Sequence, residues 1–160
     1  MPDLPLEELP VLLPHVVAWI AGLEHRAIAE GGPLVPEYVG LAKRVPVEHP
    51  EKVRVLPVER MPRPEHTRLR ELAERVNVLT GHTAGLTAGY GILSRMDCAA
   101  SRDLIVHELA HVAHYEALGI EGFLREYIRQ VSESGYEGAR FEREAQEAVR
   151  RTCGPYKSTA

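Results

Sequence analysis

Residues 107–111 read His107-Glu108-Leu109-Ala110-His111 and lie within a stretch, about 99 to 118, whose apolar residues recur at helical spacing. Residues four apart lie on one face of a helix, one turn from each other, so both imidazoles can reach one cation about 2 Å from their nitrogens. Glu108 is one residue round the helix, where it reaches a water on the cation rather than the cation itself. The H-E-x-x-H pattern on a helix predicts a zinc site with this glutamate as general base.

A hydrolytic zinc site takes three protein ligands and keeps one position open, so a third ligand is required. His114 follows on the same helix, but a straight helix cannot wrap three of its own histidines round one ion. This histidine is therefore expected to support the site or to lie at the surface. The metzincin pattern H-E-x-x-H-x-x-G-x-x-H is excluded, because its Gly and its last His are replaced here by His114 and Ala117.

Acidic residues that can complete the site lie on the last predicted helix, about 138 to 152. The inward stripe of that helix consists of Phe141, Ala145, Ala148, Val149 and Thr152. Glu142 and Glu144 flank the stripe on opposite sides, and Glu147 lies further round. Periodicity alone leaves Glu142 and Glu144 both open as the third ligand, beside the alternative of a solvated Glu/Arg face.

The string Glu142-Arg143-Glu144-Ala145 resembles the gluzincins, zinc peptidases in which a downstream helix supplies a glutamate in an E-x-x-A/S context. The resemblance implies Glu142 as the third ligand, with Glu144 as its rival. Gln146 stands where family members often carry an Asp that supports a ligand histidine. The resemblance covers about residues 85 to 150. The chain looks like a minimal gluzincin, or minigluzincin, and is close in size to the zincin-like domains of the ImmA/IrrE type.

The same resemblance implies an α+β, zincin-like fold. In it, a small antiparallel or mixed sheet packs on the active-site helix, and a glutamate helix follows. The implied activity is that of a zinc metallopeptidase with one Zn²⁺ ion held by His107, His111 and Glu142. Zinc brings the pKa of a bound water to about 7, and Glu108 would take the proton and return it to the leaving amine.

A further hydrogen-bond donor is needed to stabilise the oxyanion, and the sequence does not choose one. The open candidates for this role, or for support of the ligands, are Tyr136, Tyr115, Tyr90, His82 and His114. Asp103, one turn before His107, either orients an imidazole or favours the N-terminus of the helix electrostatically.

Residues 81–95 are rich in glycine, and we expect a turn followed by one strand from Leu86 to Leu93. Gly89, Tyr90 and Gly91 lie within this strand, where glycines let another backbone approach closely. The resemblance implies that the strand before the active helix lines the cleft and pairs with an extended peptide by strand addition. A peptide or protein substrate is therefore the expected partner.

The chain is expected to form a single domain over 1–160, with an N-terminal helix and Pro-rich segment in 1–64, the metal-site core in 65–152 and a loose tail in 153–160. We predict a helix of about four turns that starts at Pro14 and ends at Gly31-Gly32. A strand over 52–59 contains Pro57, which favours an edge or a bulge. A helix is predicted over 64–78.

The composition excludes several classes of protein. With 160 residues, 44 % of them apolar, and a net charge of −4, the chain is expected to fold and not to bind nucleic acid. Two cysteines do not make a disulfide framework. The most apolar stretch, Val11 to Leu23, is too short to span a bilayer, and no signal sequence is recognisable. We therefore expect a cytoplasmic protein without a membrane partner.

The alternative to a peptidase is a non-proteolytic, metal-binding regulatory or stress-response protein of zincin-like fold.

Overall fold

A four-stranded mixed sheet organises the part of the chain that the computed structural model describes, namely residues 5–76, 78, 83–98 and 101–154. The strands are β1 (Gly32–Pro33), β2 (Arg54–Val58), β3 (Gly85–Ala88) and β4 (Gly91–Arg95), in the order β1-β2-β4-β3. β2 and β4 run parallel, whereas the two outer pairs are antiparallel. The α+β class is confirmed, with a mixed sheet.

Five α-helices surround this sheet within the described ranges: α1 (Leu9–Glu30), α2 (Pro36–Arg44), α3 (Thr67–Arg75), α4 (Arg102–Gly138) and α5 (Arg140–Cys153). α4 is interrupted twice, at Gly119 with φ 72° and at Gly135 with φ 73°. The helical pattern predicted over about 99 to 118 therefore stops where expected, at Gly119, since glycine adopts this left-handed φ without steric cost. Cys153 belongs to α5 and not to a loose tail, and residues 155–160 of that predicted tail lie outside the described residues.

α1 starts five residues earlier than predicted, so Pro14 lies inside the helix and not in its first turn. Pro14 is exposed, and the helical bond that it cannot make is one near the N-terminal end. Leu12 and Leu13 are buried on the same helix, and their packing offsets the lost bond. The expectation that the apolar stretch is too short to span a bilayer was wrong, because the helical stretch Leu6–Glu30 is long and apolar enough by length and composition alone, a test that a core helix also passes.

The glycine-rich segment forms a hairpin of two strands and not one strand from Leu86 to Leu93. Leu86 lies in β3, Gly89 and Tyr90 form the turn, and Gly91 starts β4. Gly89 has φ 60°, and the Tyr90 N–H donates to Glu24 Oε2 of α1 at 2.7 Å. The glycines of this segment recur at positions 85, 89 and 91, so they did not single out one position as the turn, and the two-residue reversal at Gly89-Tyr90 was missed. In this hairpin β3, and not β4, is the edge of the sheet.

Pro57 lies in β2, which is an inner strand by its place in the sheet. β1 pairs only with Arg54 and Val55, so Pro57 has no partner strand on that side in the described chain. The missing N–H of Pro57 therefore interrupts no ladder bond to β1. β2 is an edge strand, as predicted, only at the end that contains Pro57 and extends beyond β1.

The sheet separates two apolar clusters and thereby fixes the position of α4. Ile92 of β4 belongs to a cluster with Val106 and Leu109 of α4, whereas its neighbour Leu93 belongs to a cluster with Ile20 of α1. Adjacent strand residues point to opposite faces, which accounts for the division. Val106 and Leu109 are buried against the sheet. The side chains of His107, Glu108 and His111 therefore lie at other positions around the α4 helix.

Candidate metal centre

Two imidazoles from α4 and one carboxylate from α5 converge on a common point. Nε2 of His107 lies 3.1 Å from Glu142 Oε1, and Nε2 of His111 lies 2.8 Å from the same oxygen. The three candidate ligand atoms are all within 4.8 Å of one another. Ligands bound about 2.0–2.2 Å from one tetrahedral ion lie about 3.3 Å apart, so small shifts of these atoms accommodate a metal. This group could hold a metal ion.

α5 brings Glu142 to the histidines because the chain reverses sharply after α4. Gly135 ends the regular part of α4, and Ala139 precedes α5 in an extended conformation. The Phe141 N–H donates to the Gln130 side-chain oxygen at 2.9 Å, which fixes the first turn of α5 against α4. Glu142 follows directly in that first turn, where the helix dipole favours a carboxylate.

The environment of Glu142 favours its charged form. Burial opposes ionisation, but hydrogen bonds from the two histidines and their charges outweigh it and lower the pKa of Glu142 well below its usual range. Burial likewise opposes the charged form of His107, yet Glu142 and the charge of Glu108 raise the His107 pKa. A buried carboxylate that stays ionised beside two imidazoles is a suitable ligand for a hard or borderline dication.

Glu144, the rival third ligand, lies beside a different histidine. Its Oε2 is 2.7 Å from Nε2 of His114, and its side chain is 49 % exposed, against 2 % for Glu142. His114 stacks on the Phe141 ring at 4.3 Å between centroids, and its Nδ1 is 3.4 Å from Nδ1 of His111. His114 therefore contacts the candidate ligand His111 at its Nδ1 atom, whereas Nε2 of His111 faces Glu142.

The tyrosines named from the sequence are distributed over different sites. Tyr136 hydrogen-bonds Glu142, and burial together with that carboxylate raises the Tyr136 pKa. The Tyr115 hydroxyl instead donates to the Thr87 carbonyl at 3.3 Å, and the Tyr90 hydroxyl donates to Glu116 at 2.9 Å. Of the named tyrosines, the described structure therefore brings only Tyr136 to the metal ligands, while His82 lies outside the described residues.

Sequence reasoning missed Tyr127, whose hydroxyl donates to Glu142 Oε2 at 3.4 Å. Tyr127 is half-buried, and desolvation of its hydroxyl is the main reason that the Tyr127 pKa is raised well above the usual value. Its spacing of four from Phe123 places both rings on one helix face, and they stack at 5.4 Å. That spacing was the available signal, but it is equally typical of an apolar core.

Glu108, the predicted general base, is buried and bonded to the sheet. Its Oε2 accepts a hydrogen bond from the Thr87 hydroxyl of β3 at 2.5 Å. Asp103 lies in the first turn of α4, and among the described residues it makes no hydrogen bond to His107. Its position fits the electrostatic role at the helix N-terminus.

No protein-family model, curated protein or solved structure matches the chain.

Proposed function

We propose that this protein is a zinc-dependent metallopeptidase. The observation that carries the proposal is the convergence of His107 Nε2, His111 Nε2 and Glu142 Oε1 beside Glu108 on the same helix turn. Two imidazoles and one carboxylate form a ligand set of known catalytic zinc sites, in which a fourth position stays open. The order of strand, H-E-x-x-H helix and glutamate helix supports the zincin-like fold that the resemblance to gluzincins implies.

Zinc held by these residues would supply a Lewis acid and a water acidic enough to lose a proton near neutral pH. Glu108 takes that proton and donates it to the leaving amine as general acid. Tyr127 donates to the outer oxygen of Glu142 and so orients the ligand. Tyr136 is partly exposed beside Glu142, where its hydroxyl can turn from that carboxylate to donate a hydrogen bond to a developing oxyanion.

A peptide substrate is supported by the outer edge of β3, which pairs with no second strand among the described residues. The Ala84 carbonyl accepts from the Arg95 N–H at 2.8 Å, so Ala84 faces β4. Because alternate residues of an antiparallel strand face opposite edges, the backbone groups of Gly85 face the open side. An extended peptide can pair there by strand addition. The Thr87 carbonyl, which faces the same side, is already taken by the Tyr115 hydroxyl.

A cavity of about 200 Å³ extends from the metal ligands between α1, α3 and α4. Its walls are mainly apolar and include Leu12, Trp19, Leu72, Val76, Leu124 and Ile128, whereas Glu108, His111 and Glu142 line its polar end. An apolar cavity of about 150 Å³ is enough to hold a benzene ring. We infer that the cavity takes a bulky apolar side chain next to the scissile bond, and that α1 and α3 of the N-terminal half form this pocket together with α4.

Filling the cavity from α3 should alter substrate preference. Ala73 lines the cavity and is half-buried, so we expect Ala73→Phe to lower kcat/KM for peptides with Phe or Leu beside the scissile bond. Full burial of such a side chain contributes about 1.5–3 kcal/mol, which corresponds to about 10- to 150-fold. Peptides with Ala at that position should change much less.

The matched control is Ala18→Phe, since Ala18 is exposed on α1 and does not line the cavity. It should leave both classes of peptide unaffected. An equal loss for large and small side chains in Ala73→Phe would contradict the assignment of the pocket.

The proposed function is tested by incubating the full chain with a quenched fluorescent peptide library, with zinc and after treatment with a chelator. Cleavage that the chelator abolishes and zinc restores is the expected result. Zinc binding without cleavage of any peptide or of casein would contradict the peptidase and favour a non-proteolytic metal-binding regulator.

A further inference from the structure

Thr87 of β3 is joined to Glu108 of α4 by its side chain. Its hydroxyl oxygen lies 2.5 Å from Glu108 Oε2 and 3.2 Å from the Glu108 backbone carbonyl. Both residues are buried, Thr87 being 5 % and Glu108 5 % exposed. A hydroxyl has one proton, and a bond to an ionised carboxylate is the stronger choice. The hydroxyl therefore donates to Oε2.

The second oxygen of this carboxylate is accommodated by Gly85, two residues earlier on the same strand. A Cβ at position 85 would lie 2.8 Å from Glu108 Oε1 and 2.9 Å from Leu104 Cδ1. A side chain at position 85 can occupy that space only if Glu108 and Leu104 shift. The Gly85 backbone has no positive φ, so the constraint at this position comes from these two side chains and not from strand conformation.

We propose that Gly85 and Thr87 form a seat that orients the Glu108 carboxylate for proton transfer, with Thr87 as a positioning residue. This inference rests on the proposed function. Thr87 fixes Oε2, which leaves Oε1 as the oxygen that exchanges the proton. Both seat residues lie on the edge strand that is proposed to pair with the substrate, so one strand places the base and the peptide relative to each other.

Position matters to proton transfer because a general base must lie within about 2.6–3.2 Å of the proton's heavy atom. A carboxylate without the Thr87 donor would be buried with an unsatisfied oxygen and would turn toward another partner. Groups that orient catalytic residues at metal sites typically contribute about 10- to 100-fold to activity. The effect should appear in kcat, because the zinc ligands are untouched.

The test compares Thr87→Val, which keeps the shape but removes the donor, with Thr87→Ser, which keeps the donor. We expect Thr87→Val to lower kcat by about 10- to 100-fold, with KM and zinc affinity within about 2-fold of wild type. Thr87→Ser should retain most of the activity. Gly85→Ala should lower kcat in the same way by displacing Oε1.

Thr152→Val is the matched control, because Thr152 is equally buried but its hydroxyl bonds Ala148 within α5. It should retain wild-type kcat. Equal kcat in Thr87→Val and wild type would overturn the proposal, as would an equal loss in Thr87→Ser and Thr87→Val.

An NMR measurement on the full chain tests the hydrogen bond between Thr87 and Glu108 independently of turnover. The Thr87 hydroxyl proton should be protected from exchange and visible in wild type, and the Glu108 carboxyl ¹³C resonance should shift in Thr87→Val but not in Thr152→Val. If wild type cleaves no peptide, the proposed function fails, while this signal still supports the seat. A Glu108 resonance that does not respond to Thr87→Val would overturn the seat whatever the activity.

Discussion

Glu108→Gln will remove peptide hydrolysis, with kcat reduced by about 10²- to 10⁴-fold, the usual contribution of a general base. The amide has nearly the same shape, and its oxygen can still accept the Thr87 hydroxyl that bonds Glu108 Oε2 in the wild type. The side chain loses only its capacity to take a proton. Glu108 is not part of the group formed by His107, His111 and Glu142, so zinc affinity should stay within about 3-fold, far less than the loss of a metal-supporting group costs.

The control for this variant is Glu121→Gln. Glu121 lies on α4 as well, but its side chain is 64 % exposed, and among the described residues it pairs with Arg125 four residues on. An exposed pair of this kind contributes little to stability, so turnover should equal that of the wild type. A Glu108→Gln protein that still cleaves peptides at near the wild-type rate would show that another group acts as the base.

Glu142→Ala will lower zinc affinity by more than about 100-fold, because removal of a ligand should exceed the 10- to 100-fold cost of losing a supporting group. Glu144→Ala should lower it by less than about 10-fold. The reason is geometric: Glu142 Oε1 lies 2.8 and 3.1 Å from the two histidine nitrogens, whereas Glu144 bonds His114. Competition with a chromophoric chelator at pH 7.5 measures both affinities.

The control for this comparison is a circular dichroism measurement that shows whether the metal-free variants are folded. Glu142 is buried, and its removal leaves two imidazoles without their carboxylate, so the fold must be shown to persist by circular dichroism. Equal zinc affinity in Glu142→Ala and wild type would contradict the ligand assignment. A greater loss in Glu144→Ala would assign that role to its rival.

The H-E-x-x-H helix could be predicted because its signal is local. A spacing of four along a helical pattern fixes one face of α4, whatever the rest of the chain does. Glu142 and Glu144 could not be ranked by periodicity, since they flank the same apolar stripe. What separates them is the rotation of α5 against α4, and that rotation depends on tertiary contacts such as the Phe141–Gln130 hydrogen bond.

The edge strand was the least predictable part of the site. Residues 86–93 contain glycines at 89 and 91, and their spacing alone did not show that the chain reverses at Gly89-Tyr90. Thr87 and Gly85 meet Glu108 only through the packing of β3 on α4, across about twenty positions of sequence. Contacts of this kind depend on strand register, which local propensity does not set.

We propose that His107, His111 and Glu142 together bind one zinc ion. The most direct test is equilibrium dialysis of the full chain against zinc at pH 7.5, followed by elemental analysis of wild type and of a His107→Ala/His111→Ala double variant. We expect one zinc ion per wild-type chain and none in the folded double variant. A folded wild type without zinc, or an unchanged zinc content in the double variant, would contradict the account.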